Sequence, residues 1–65
     1  MSDRSILLAE IGYIEERKSE LLNYINTQEF ESSRYDNQSD VFRQYEAMCN
    51  YSDCLERRLS RAPTE

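Results

Sequence analysis

Leu7, Ile11, Ile14, Lys18, Leu21 and Ile25 follow one another at spacings of four, three, four, three and four. An α-helix gathers positions so spaced into one stripe, whereas a strand would scatter them over both faces. A second series, Val41, Tyr45, Met48, Ser52, Leu55, Leu59 and Ala62, repeats the alternation. Two amphipathic helices are therefore expected, over 3–28 and 39–60. For the first, Ser2 is the expected N-cap and Asp3 suits the positive end of the helix dipole. For the second, Asn37 or Ser39 is the expected cap, Asp40 lies in the first turn, Arg57, Arg58 and Arg61 sit at the negative end, and Pro63 stops it. Residues 29–38 read as the connection and 61–65 as a short tail. The connection is long for a helix pair, so helix one is expected to run on toward Ser32 while Phe30 and Tyr35 pin the rest. The fold class is all-α: an antiparallel two-helix hairpin, residues 1–65 forming one domain.

Heptad lettering puts Leu7, Ile14 and Leu21 at d and Ile11, Lys18 and Ile25 at a, with Leu8 and Leu22 at the neighbouring e positions. The second series places Phe42 and Cys49 at e and Tyr51 at g. Two helices cannot cover a stripe that wide. A chain of 65 residues also buries a small share of its surface when it folds alone. Self-association through Leu8, Leu22, Phe42, Cys49 and Tyr51 is the expected remedy, with a dimer forming a four-helix bundle. Lys18 and Ser52 interrupt the seam at a positions. Lys18 can extend to solvent and Ser52 can bond its own backbone, or both can set register and oligomer state. Gly12, the single glycine, is expected to serve close packing.

Thirteen acidic residues against eight basic ones leave a net charge of −5. That charge opposes a phosphate backbone and favours protein partners. No apolar run approaches the length of a signal peptide core or a membrane span, so a cytoplasmic protein without membrane contact is expected. In a reducing compartment its cysteines stay thiols and its two glycosylation sequons are silent.

The stretch Cys49-Asn50-Tyr51-Ser52-Asp53-Cys54 looks at first like a metal or redox motif. Cysteines five apart on a helix diverge by about 140°, and the chain has no histidine and no third cysteine to complete a zinc site. The stretch reads instead as helix, with Cys49, Tyr51 and Ser52 toward the core side and Cys54 a surface or interface thiol. No cofactor is expected. Glu10, Glu15, Glu16 and Glu20 read as a solvated face with Glu15–Lys18 and Arg17–Glu20 pairs, since acid–base work needs an enclosing pocket. Neither the size nor any motif suits an enzyme.

The five tyrosines carry more information. Tyr45 suits the core, whereas Tyr13, Tyr24, Tyr35 and Tyr51 lie at or beyond the stripe edges, where amphipathic rings serve interfaces. Tyr13, Tyr24 and Tyr35, with Glu16, are the expected partner contacts. Arg57, Arg58 and Arg61 offer the alternative, a nucleic-acid accessory role, although helix C-terminal arginines need no such explanation. The whole chain, opening SDRSILLAEIGYIEERKSELLNYI and closing CNYSDCLERRLSR, resembles the small all-helical accessory proteins encoded in the early exo-xis region of lambdoid temperate phages. That resemblance implies an early factor acting in the host cytoplasm on a host or phage protein and influencing the choice between lysis and lysogeny.

Overall fold

A computed structural model describes residues 3–62. Three helices follow in order, α1 (Asp3–Ile25), α2 (Gln28–Glu31) and α3 (Tyr35–Arg61). The two long ones pack against each other as an antiparallel hairpin, as the twin stripes require. Leu7 of α1 and Val41, Ser52 and Leu55 of α3 are buried along the seam, and Phe30 of α2 closes its end. Ser2 and Pro63, the expected cap and stop, lie outside the described residues.

The connection departs from expectation in a way its side chains explain. α1 ends three residues before Gln28 because Thr27 starts a new turn. Its hydroxyl accepts from the Phe30 amide at 3.1 Å and donates to the Tyr24 carbonyl at 2.6 Å, which caps α2. α3 begins at Tyr35, four residues before Ser39, and its N-cap residue is Arg34, which makes no side-chain cap bond. Asn37 and Ser39 are therefore helical residues rather than caps. Asp36 occupies the first turn and accepts from the Asn37 amide at 2.9 Å. The Gln38 side-chain amide reaches back to the carbonyls of Phe30, Glu31 and Ser33 at 3.0, 3.0 and 3.2 Å. These are acceptors left open where a short helix ends. Of the two expected pins only Phe30 acts as one, because Tyr35 is 84% exposed.

Phe30 is gripped from both sides. Tyr24 and Phe42 each meet it edge to face with ring centroids 5.4 Å apart, a favourable geometry for aromatic quadrupoles. The hairpin is a rod of 49 × 14 × 14 Å with a radius of gyration of 15.0 Å. A compact domain of this length would have a radius near ~11 Å. Ile6, Leu8, Tyr13, Leu22, Phe42 and Tyr51 consequently remain exposed. Gly12 meets no other part of the chain, since a Cβ built there finds nothing within 4 Å, so it does not pack inside the hairpin.

Leu55 is 1% exposed, and Leu55→Ala is expected to lower stability by about 2–5 kcal/mol through lost burial and a cavity. Tyr35→Ala should stay within about 0.5 kcal/mol. Urea unfolding followed by circular dichroism compares the two.

Candidate interaction surface

Halfway along the seam the apolar line gives way to a polar bridge. Ser52 Oγ, buried, donates to Glu15 Oε1 across the helix pair at 2.6 Å. Lys18 Nζ sits 3.4 Å from Glu15 Oε2 one turn along. Ser52 thus bonds the opposite helix rather than its own backbone. The Lys18 side chain is only 19% exposed, so it is held in the seam beside Glu15 rather than extended to water. Glu15 occupies the e row between Leu8 and Leu22, which lets one carboxylate serve both interruptions of the stripe.

The bridge shifts both of its charged groups. The hydrogen bond from Ser52, opposed by partial burial and helped by Lys18, holds the Glu15 carboxyl below its ordinary value. Burial alone would lower the Lys18 ammonium. The hydrogen bond and charge of Glu15, with contributions from Cys49 and Tyr45, outweigh that and raise it.

Helical phase sorts the remaining side chains onto the two broad faces flanking the seam. The e rows, Leu8, Glu15 and Leu22 with Phe42, Cys49 and Glu56, lie on one face. The g rows, including Glu10, Tyr24 and Tyr51, lie on the other. The Tyr51 hydroxyl donates to Glu10 Oε2 across the pair, which fixes this assignment. It raises the Tyr51 phenol above its ordinary value, because ionisation would forfeit the bond, leave a half-buried anion and set it beside a carboxylate. Tyr51 therefore stands apart from Leu8, Leu22, Phe42 and Cys49, with which its apolar ring had grouped it.

The expected partner contacts are dispersed. Tyr13 borders an open apolar hollow with Ile6, Ala9 and Glu10. Glu16 falls on the back of α1, away from the seam. Tyr24, three turns beyond Tyr13, is half-buried and receives a bond from Asn37 Nδ2 at 3.4 Å. Tyr35 stands alone at the start of α3. Arg57, Arg58 and Arg61 are exposed. Arg57 Nη2 turns to Cys54 Sγ at 3.1 Å, while Arg58 and Arg61 border a hollow with Asp3 and Leu7. The Arg17–Glu20 pair forms on the solvent side at 3.4 Å. Both cysteines are free, Cys49 half-buried and Cys54 exposed. No helix among the described residues is long and apolar enough to cross a membrane.

Glu10 and Glu15 are the functional surprises. A lone charge within the Leu8–Leu22 row was the available signal for Glu15, and a g-to-g pairing with Tyr51 was the signal for Glu10. Reading all the glutamates as one solvated face concealed both.

A profile of the family described as Sequestin matches residues 6–61. No curated protein and no solved structure matches the chain. The profile covers the seam, the connection and nearly all of both long helices, so the chain belongs to the Sequestin family, a small helical type of phage-encoded protein.

The signs of the two shifts make the bridge a pH-dependent clasp. The Glu15 contribution is complete above the ordinary carboxylate value and is lost as pH falls through its depressed folded value. The Lys18 contribution is complete below the ordinary lysine value and is lost as pH rises through its raised folded value. Ser52→Ala removes the main cause of the Glu15 shift, so acid unfolding of that variant should begin at higher pH than in the wild type. An unchanged acid limb in a circular dichroism titration would contradict the bridge.

Proposed function

We propose that this member of the Sequestin family is a non-enzymatic regulatory protein that assembles as a homodimer and acts by binding another protein stoichiometrically. The observation that carries the reading is the combination of a thin rod with a broad apolar surface. Leu8, Leu22, Phe42, Ile6, Tyr13 and Tyr51 are 42–64% exposed on a body 14 Å thick, which has no depth in which to enclose a substrate. Large exposed apolar area on a small chain is characteristic of an interaction protein. The family name speaks of sequestration, which suits stoichiometric holding better than turnover.

The dimer uses the e-row face, and the partner protein meets the g-row side around Tyr13. Ile6, Ala9 and Glu10 border Tyr13 there, combining an aromatic anchor with a carboxylate that steers approach. The acidic balance of −5 favours a partner carrying basic groups at its contact. The likeness to early lambdoid phage factors supports a host or phage protein as the target and the choice between lysis and lysogeny as the process. The second reading, a nucleic-acid accessory role, rests on the exposure of Arg57, Arg58 and Arg61 together at one end of the rod.

Capture from an infected-host lysate distinguishes the two. Wild type should retain a specific protein that an Ile6→Ala, Tyr13→Ala variant loses at least tenfold, while helicity and sedimentation of the variant stay unchanged. Equal recovery by both proteins would refute the assignment of the Tyr13 side. Nuclease-sensitive and salt-sensitive capture, abolished by Arg58→Ala with Arg61→Ala, would establish the second reading instead.

A further inference from the structure

The proposed self-association leaves open which part of the e-row face makes the contact and how the two copies are turned. The loop end of that face carries both halves of a fitting pair. Phe42 leaves the core aromatic chain Tyr24–Phe30–Phe42 with its ring 53% exposed, and Leu22 is 42% exposed on the same face. Directly beside Phe42 opens a cleft bordered by Ile25, Asn26, Thr27, Phe30, Glu31 and Gln38. A projecting aromatic and a cleft of mixed polar and apolar lining, adjacent on one surface, are what an interface with twofold symmetry requires, because each copy supplies the knob and the hole at once.

We propose that two copies dock along the e-row face about a twofold axis running along the rod, each Phe42 ring seated at the loop end in the cleft of the other copy. In that arrangement Leu22 meets the second copy's Phe42, and four apolar side chains close around the axis.

Charge selects the same turn of the copies. The α3 flank of the face is acidic, with Glu46, Asp53 and Glu56, whereas the α1 flank carries one carboxylate, Glu15, already paired with Lys18, and the small residues Ser5, Gly12 and Ser19. An axis along the rod sets α1 of one copy over α3 of the other, so the acidic flank meets small side chains and a Glu15 already paired with Lys18. An axis across the rod would lay α1 on α1 and α3 on α3, opposing the Glu15 carboxylates to each other and bringing together two acidic flanks, which is unfavourable. The Cβ-free side of Gly12, open within the chain, then allows a neighbouring helix to approach closely. A face 49 Å long and 14 Å wide offers on the order of ~700 Å² per copy, close to the ~800 Å² per partner of a stable interface.

The inference rests on the self-association proposed above, and the experiment separates the two. A mixed sample of isotope-labelled and unlabelled full-length chain is examined by filtered nuclear Overhauser spectroscopy. Contacts between copies are expected from the Phe42 ring to the Ile25 and Leu22 methyl groups. Contacts between copies from Leu8 to Leu22 would place the axis across the rod, and contacts confined to Ile6 and Tyr13 would move the interface to the other face. Either result overturns this inference while leaving self-association standing. A single-chain mass in sedimentation at millimolar concentration would overturn both. Leu22→Asp should weaken association at least tenfold, against less than twofold for Tyr13→Asp; equal effects would also overturn it. Because the wild-type contacts are read directly, the test holds even if a variant fails to fold.

Discussion

A single line of contact between α1 and α3 holds the rod together, and its middle rung is a polar one. Ser52, Glu15 and Lys18 take the place of a leucine layer where the two stripes are interrupted. An unpaired buried hydroxyl or ammonium at that point would oppose folding. Satisfied by one carboxylate, the rung instead ties α1 and α3 in a definite register, because a slip of one turn would separate Ser52 from Glu15. Single polar residues at seam positions commonly have this role. The buried apolar side chains on either side, Leu7, Leu55, Phe30 and Val41, supply burial without specifying register.

That narrow line also explains why so much apolar surface faces outward. A rod two helices wide has broad faces on both sides of its seam, and the sequence puts apolar side chains on each. On one side stand Leu8, Leu22 and Phe42, and on the other Ile6, Tyr13 and Tyr51. The two sides differ in how much is already committed. Tyr51 is engaged with Glu10, and Tyr24 packs on Phe30, whereas Phe42 borders an open cleft and Leu22 stands exposed on the same face. This asymmetry is the basis for separating a self-association face from a partner face.

Periodicity made the hairpin legible, because a stripe repeated over six or seven positions has no other economical fold. The ends of the helices were less legible. Thr27 and Gln38 act through bonds to Tyr24, Phe30, Glu31 and Ser33 that exist only once the chain has turned back on itself, so no local rule announces them. The same is true of Ser52 and Tyr51, whose partners lie 37 and 41 residues away in sequence. Heptad lettering could have paired these rows across an antiparallel seam. Grouping Tyr13, Glu16, Tyr24 and Tyr35 by residue type alone joined positions that the helix separates by turns and by faces.

If the rod is completed by a second copy, folding and association are one equilibrium, and the midpoint of thermal unfolding must rise with protein concentration. Differential scanning calorimetry of the wild-type chain over a hundredfold range of concentration tests this most directly. The account predicts a midpoint that climbs steadily across the range. A midpoint independent of concentration, together with the mass of a single chain in sedimentation, would show that the hairpin is complete by itself and would contradict it.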